Sequence, residues 1–162
     1  MTPTPDLWWD ARVTAIAETD IPKILKRLGY EPRVLENKTW RCKINGGAGE
    51  IRLVVRHAGP WLYMSVLPFF EPASIQPWGA GKFPTGFLGR LLAVNKNLSM
   101  VKFALDDDGD VVLRTELPTE ALQASEVELA ANTLVRTTEQ YRSPVRDALL
   151  DAARTVTQPP AA

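Results

Sequence analysis

Alternation of apolar and polar positions makes the middle of the chain a series of strands, each with one dry and one wet face. Trp40, Cys42 and Ile44 alternate with Arg41 and Lys43, the two-residue period of a strand whose one side lies in a core. The run Gly46-Gly47-Ala48-Gly49 turns the chain. Ile51, Leu53 and Val55 then alternate with Arg52 and Arg56, and after a loop from His57 to Pro60 the residues Leu62, Met64 and Val66 share a face. Pairing Val55 with Leu62, Leu53 with Met64 and Ile51 with Val66 gathers six apolar side chains on one side of a sheet. Val54, Trp61, Tyr63 and Leu67 are left pointing the other way.

Helical patterns flank these strands. The segment DLWWDARVTAIAE suits a short helix capped by Asp6, with Leu7, Val13 and Ile16 apolar. Asp20 reads as a fresh N-cap, because Pro22 is tolerated only in a first turn, and that helix buries Ile24, Leu25 and Leu28 before stopping at Gly29. Thr85 can cap a third helix with Leu88, Leu91 and Leu92 inward and Asn95 to Asn97 closing it. Ser125-Glu126-Val127-Glu128 has the form of a capping box, followed at helical spacing by Val127, Ala131, Leu134, Thr138 and Tyr141. Ser143-Pro144 then either kinks this helix or ends it and starts another carrying Val145, Leu149 and Leu150.

Between Val101 and Thr115 the face of each side chain decides the length of a hairpin turn. A two-residue Asp108-Gly109 turn would place Arg114 and Glu116 beside Val101, Phe103 and Leu105, burying charge. A three-residue loop, Asp107-Asp108-Gly109 with a left-handed glycine and a bulge, instead pairs Leu105 with Val111, Phe103 with Leu113 and Val101 with Thr115. The elements together predict an α+β fold with an antiparallel five-stranded sheet and helices packed on it, in the order helix, helix, three strands, helix, two strands, helix. One domain is expected over residues 6–154, with Pro- and Thr-rich ends at 1–5 and 155–162 that should fray.

Composition narrows the function. At 162 residues the fold should bury about 70% of the surface exposed by the unfolded chain, so no staples are needed. Nineteen basic against nineteen acidic residues, without a Lys or Arg run, argue against nucleic acid or an anionic membrane as partner. The lone Cys42 forms no internal disulfide, and the absence of a signal-like N-terminal stretch leads to the expectation of a cytoplasmic protein. Trp78-Gly79-Ala80-Gly81-Lys82 lacks the first glycine and the Ser or Thr of a phosphate loop. Asp106 to Asp110 miss the spacing of a calcium loop, since Ala104 and Thr115 stand where ligands should be. His57, the only histidine, is read as a surface turn residue, and Cys42 as structural. No catalytic residue, cofactor or metal site is therefore assigned. The aromatic run FFEPASIQPWGAGKF is the candidate interaction site: Phe69, Phe70, Trp78 and Phe83, with Trp61 nearby in sequence, are the partner-binding residues, Trp78 the anchor. The alternative is a ligand-binding or enzymatic pocket under the 69–83 loop, where aromatics and Lys82 could hold an acidic small molecule.

The segment LLAVNKNLSMVKFALDDDGDVVLRTELPTEAL resembles the YbjN-type sensory transduction regulator family, whose members share the type III secretion chaperone fold. The similar features are the Leu-Leu helix ending in Asn95, the strand Lys102-Phe103-Ala104-Leu105, the Asp-Gly turn, the strand Val112-Leu113-Arg114, and Leu117-Pro118 before the last helix. The resemblance implies a small cytoplasmic protein, often dimeric, that acts by binding another protein and has no active site. This chain is neutral where secretion chaperones are typically acidic, and its aromatic loop is longer. A non-catalytic chaperone or regulator module with an unidentified protein partner is expected, and a homodimer that covers Val54, Trp61, Tyr63 and Leu67.

Overall fold

The computed structural model describes residues 16–70 and 83–157. Six strands form one antiparallel sheet: β1 (Arg33–Glu36), β2 (Thr39–Gly46), β3 (Gly49–Ala58), β4 (Trp61–Val66), β5 (Lys102–Leu105) and β6 (Val111–Pro118), in the spatial order β1-β2-β3-β4-β6-β5. A 3-10 turn (Glu18–Asp20) leads into α1 (Ile21–Arg27); α2 (Thr85–Asn95) connects β4 to β5, and α3 (Ala124–Thr157) closes the fold. The expected α+β class and antiparallel sheet are present, with six strands rather than five.

The sixth strand is β1. Both Val34 and Leu35 are exposed, so the segment has no dry face and no alternation for a sequence reading to detect. A bulge between Val34 and Glu36 shortens it further. Its signal was the turn: Lys38 has φ of 59°, and Asn-Lys between two short runs joins β1 to β2.

The central register differs from expectation by two residues. Leu53 pairs with Val66, Val55 with Met64 and His57 with Leu62, because β3 and β4 continue to Ala58 and Trp61 and leave only Gly59-Pro60 as the turn. Gly59 has φ of 55°, the glycine-first form of a two-residue hairpin turn that matches the strand twist. Since side chains alternate with period two, a slip of two keeps every residue on its predicted face. Ile51, Leu53, Val55, Leu62, Met64 and Val66 are accordingly all in the core.

The hairpin from β5 to β6 agrees with its sequence argument. Leu105 pairs with Val111 and Phe103 with Leu113, and Gly109 has φ of 82°. Asp106 holds the turn, its Oδ1 accepting from the backbone N–H of Asp108 at 3.0 Å and of Asp110 at 2.8 Å. Burial and the neighbouring carboxylates of Asp106 and Asp108 push the Asp110 carboxyl upward from its usual range.

Helix ends required more correction. Asp20 does stand at the N-cap position of α1, but its carboxylate makes no capping bond to that helix; it closes the preceding 3-10 turn by accepting from Ala17 N–H at 3.2 Å and pairs with Lys23. Gly29 does end α1, in a Schellman arrangement with Tyr30 N–H donating to Leu25 C=O and Gly29 N–H to Lys26 C=O. In α2 the inward residues are Phe87 and Leu91, with Leu88 packed at the margin, while Leu92 is 70% exposed; Thr85 is the first helical residue, with Pro84 in the cap position. The last helix starts earlier than its Ser125 box. Gln123 N–H donates to the Glu126 carboxylate at 2.8 Å, the reciprocal half of a capping box centred two residues upstream. It runs unbroken through Pro144 to Thr157. The expected Asp6 helix and the remaining terminal residues lie outside the described residues.

Ile21, Ile24 and Leu25 of α1, Phe87 and Leu91 of α2, and Val127, Leu134, Val145 and Leu149 of α3 join the inward face of the sheet in one core. Substitution of Gly109 by Ala should lower stability by about 1 kcal/mol, because a Cβ is strained at this left-handed position; urea unfolding followed by circular dichroism measures it.

Candidate partner-binding surfaces

The predicted aromatic residues separate into different environments. Phe69 and Phe70 are buried, a correction to their expected role at a surface. Their rings stack edge-on at 5.1 Å, and Phe69 meets Phe103 at 4.9 Å in the same geometry. Phe83 is half-buried against Phe87, with ring centroids 5.4 Å apart. Trp61 is exposed at the start of β4. Trp78 and Lys82 lie outside the described residues, as does the pocket expected beneath the 69–83 loop.

What holds Phe69 in place is Arg142 of α3, which sequence reasoning missed. This arginine is buried. Its Nε donates to Phe69 C=O at 2.8 Å, and one terminal nitrogen donates to Glu50 C=O at 2.8 Å and Ala48 C=O at 3.2 Å. The guanidinium also lies 5.8 Å from the Phe69 ring centroid, within cation–π range. Glu139, one helical turn earlier, accepts from Gly47 N–H at 3.4 Å. Position 142 does fall on the inner stripe, four residues after Thr138 and three before Val145, but a charged residue there is naturally assigned to solvent. Arg142→Met should cost about 3 kcal/mol or more, since several buried acceptors lose charged donors; Arg142→Lys should lose less, keeping the charge but not the planar fork. Denaturant midpoints of the two variants test this order.

Asn95 has a related role. Its amide nitrogen donates to Phe103 C=O at 3.0 Å while its oxygen accepts from Phe103 N–H at 2.7 Å. One side chain thus pairs with β5 as a strand would, tying α2 to the sheet edge. Lys102 Nζ donates to the carbonyls of Asn95 and Leu98 at the end of the same helix.

The candidate chemical groups are accounted for structurally. His57 sits on β3, not in a turn, with Nδ1 at 3.0 Å from Glu18 Oε2; Lys38 Nζ lies 2.9 Å from the same oxygen. The Lys38 and His57 contacts hold the Glu18 carboxyl below its usual range. Cys42 is fully buried, and burial, with the Glu31 carboxylate adding to it, pushes its thiol from 9.0 up to about 11. The neutral thiol is therefore the native form. Its contribution to stability is complete below pH 9 and declines as pH rises toward 11. Folded protein should react with an aromatic disulfide reagent at pH 8 only as fast as it opens, and protein in urea should react at once. Among the described residues no cluster of His, Cys, Asp or Glu could hold a metal ion.

Two surface features remain. A small apolar cleft of about 110 Å³ lies between α2 and α3, lined by Phe87, Leu91, Val94, Tyr141 and Val145. On the opposite side the sheet shows its outer face, with a depression of about 300 Å³ bounded by Val54, Arg56, Tyr63, Ser65, Val112 and Arg114. The described helices bury their apolar residues on the other side. No helix among the described residues is long and apolar enough to cross a membrane.

An antiparallel sheet covered on one face by a long C-terminal helix is an α+β architecture that the comparisons find in other proteins. Residues 85–147 match the YbjN family, described as "Putative bacterial sensory transduction regulator"; this span contains the Asn95 clasp, the β5–β6 hairpin and Arg142. Three solved complexes contain a chain of similar fold. The heterodimeric complex ExoU-SpcU from the type III secretion system of Pseudomonas aeruginosa matches with 23% identity, 80% of this chain, 97% of that chain and a TM-score of 0.51. The HopA1-SchA chaperone-effector complex matches with 19% identity, 78% of this chain, 92% of that chain and a TM-score of 0.52. The ExsC-ExsE complex matches with 13% identity, 78% of this chain, 90% of that chain and a TM-score of 0.51. No curated protein matches the chain.

Proposed function

We propose that the protein is a non-catalytic binding module of chaperone or regulator type, acting in the cytoplasm on another protein. The observation that carries this reading is the one-sided sheet. Helices fill its inner face with a complete core, while the outer face offers a broad, part-apolar surface with no described element packed on it. The same architecture is found in chains solved as complexes with a second protein. The one thiol, Cys42, is buried and held neutral, so it offers no thiolate nucleophile at neutral pH. Its burial as a free thiol is also in keeping with a reducing compartment.

Trp61, Trp78 and Phe83 are the proposed aromatic contacts, Phe69 and Phe70 being part of the core. A homodimer is part of this reading, through the α2 side, where Leu92 is exposed beside the α2–α3 cleft. The outer sheet face suits it poorly. An isologous contact there would oppose arginine to arginine.

The test is capture of a partner from lysate of the native host by the tagged full chain, alongside light scattering. A stoichiometric protein partner lost on Trp78→Ala, with an unchanged melting temperature, is expected, together with a dimer mass at tens of micromolar. A co-purifying small molecule without a protein partner would replace the binding-module reading with a ligand-binding one, and a monomer mass would remove the dimer.

A further inference from the structure

The outer sheet face concentrates positive charge on a chain that is neutral overall. One cross-strand row runs Arg33, Arg41, Val54, Ser65, Arg114, from β1 through β2, β3 and β4 to β6. Arg56 lies on the same face, paired with Tyr63. Arg114 is braced in place by Glu116 and by the Tyr63 ring, whose centroid is 5.8 Å away. Arg33, Arg41 and Arg56 have no ion-pair partner among the described residues. Arg33 and Arg41 also line a shallow cleft with Lys43 and Glu31. Between the arginines the surface is apolar or small, with Val54 at the centre and Val112 as floor.

Resting on the reading that the chain binds a protein, we propose that this face takes an acidic, extended segment of the partner, with two carboxylates flanking an apolar residue. The spacing follows from the sheet. Arg41 and Arg114 stand three strand intervals apart, about 14 Å at ~4.8 Å per interval. An extended chain rising ~3.4 Å per residue covers this in about four residues, with the first, third and fifth side chains on one side. Carboxylates at the first and fifth positions reach Arg41 and Arg114, and an apolar third residue lies between Val54 and Ser65. A helix is about 10 Å across and needs a wider trough. Nucleic acid is disfavoured because Glu31, Glu50 and Glu116 are interspersed among the cations; a polypeptide can place its charges to avoid them, whereas a continuous phosphate backbone cannot.

The probe is a short fluorescein-labelled peptide with two glutamates four residues apart and a leucine midway in a serine-glycine background, titrated with the full chain and read by anisotropy. Saturable binding is expected, at least ten-fold tighter than for the same composition with adjacent glutamates, and weakening as salt rises. Arg41→Glu/Arg56→Glu should weaken it ten-fold or more, and Arg41→Gln/Arg56→Gln should show an intermediate loss. Both pairs should keep the wild-type melting temperature, since these side chains lie outside the core. Absence of saturable binding, equal affinity for the permuted peptide, or unchanged affinity in the Glu variant overturns the inference. Tighter binding of an oligothymidylate of equal length overturns it in favour of nucleic acid. The protein-binding reading is judged separately: a host partner that stays on the Arg41→Glu/Arg56→Glu variant refutes the acidic strip and leaves the module, whereas failure of the wild-type chain to capture any protein refutes both.

Discussion

The fold depends on how α3 is fastened to the sheet, and Arg142 is the fastening. A helix that lies over a sheet through aliphatic contacts alone can slide, because dispersion and hydrophobic burial are non-directional. A planar guanidinium cannot slide without losing its acceptors. By donating to Phe69 on one side and to Ala48 and Glu50 on the other, Arg142 fixes the helix relative to two separate points, the segment after β4 and the turn between β2 and β3. Each contact is charge-assisted, and the one with Phe69 is buried while the other two are partly so, so each is worth more than a surface hydrogen bond. Phe69, held there, packs edge-on against Phe103 of β5 and brings the sheet's far edge into the same assembly.

The β5 edge is fastened by polar groups of the same kind. Asn95 imitates a neighbouring strand toward Phe103, and Lys102 returns the contact to the end of α2. The β4-α2-β5 crossover is thereby closed by directional bonds at both ends, one from α3 and one from α2. These residues fall within the span matched by the regulator family, which gives that match a physical content: the shared part is the clasping unit of the fold.

The inner and outer faces of β2, β3, β4 and β6 were legible in the sequence because alternation is a local property with a period that no register can change. The same locality explains the β5–β6 hairpin, where a wrong turn length would have buried Arg114 and Glu116, and the end of α1 at Gly29. It also explains what was misplaced. The β3–β4 register slid by two residues because either pairing satisfies the pattern, and only the left-handed Gly59 in contact with Pro60 selected one. Strand β1 was invisible because both faces are wet and its place is set by Trp40 and Arg41 across the ladder. Phe87 faces the core and Leu92 does not, because the direction from which the sheet meets α2 is not written in α2.

Sequence by itself thus determined the class of fold and the composition of the dry face. Tertiary structure alone decided that Arg142 belongs inside, that Phe69 and Phe70 are core, that His57 pairs with Glu18, and that three arginines, a valine and a serine from five strands form one row. Those facts join residues up to ninety-four positions apart, and pairwise contacts at that separation depend on register and helix placement, which local periodicity does not encode.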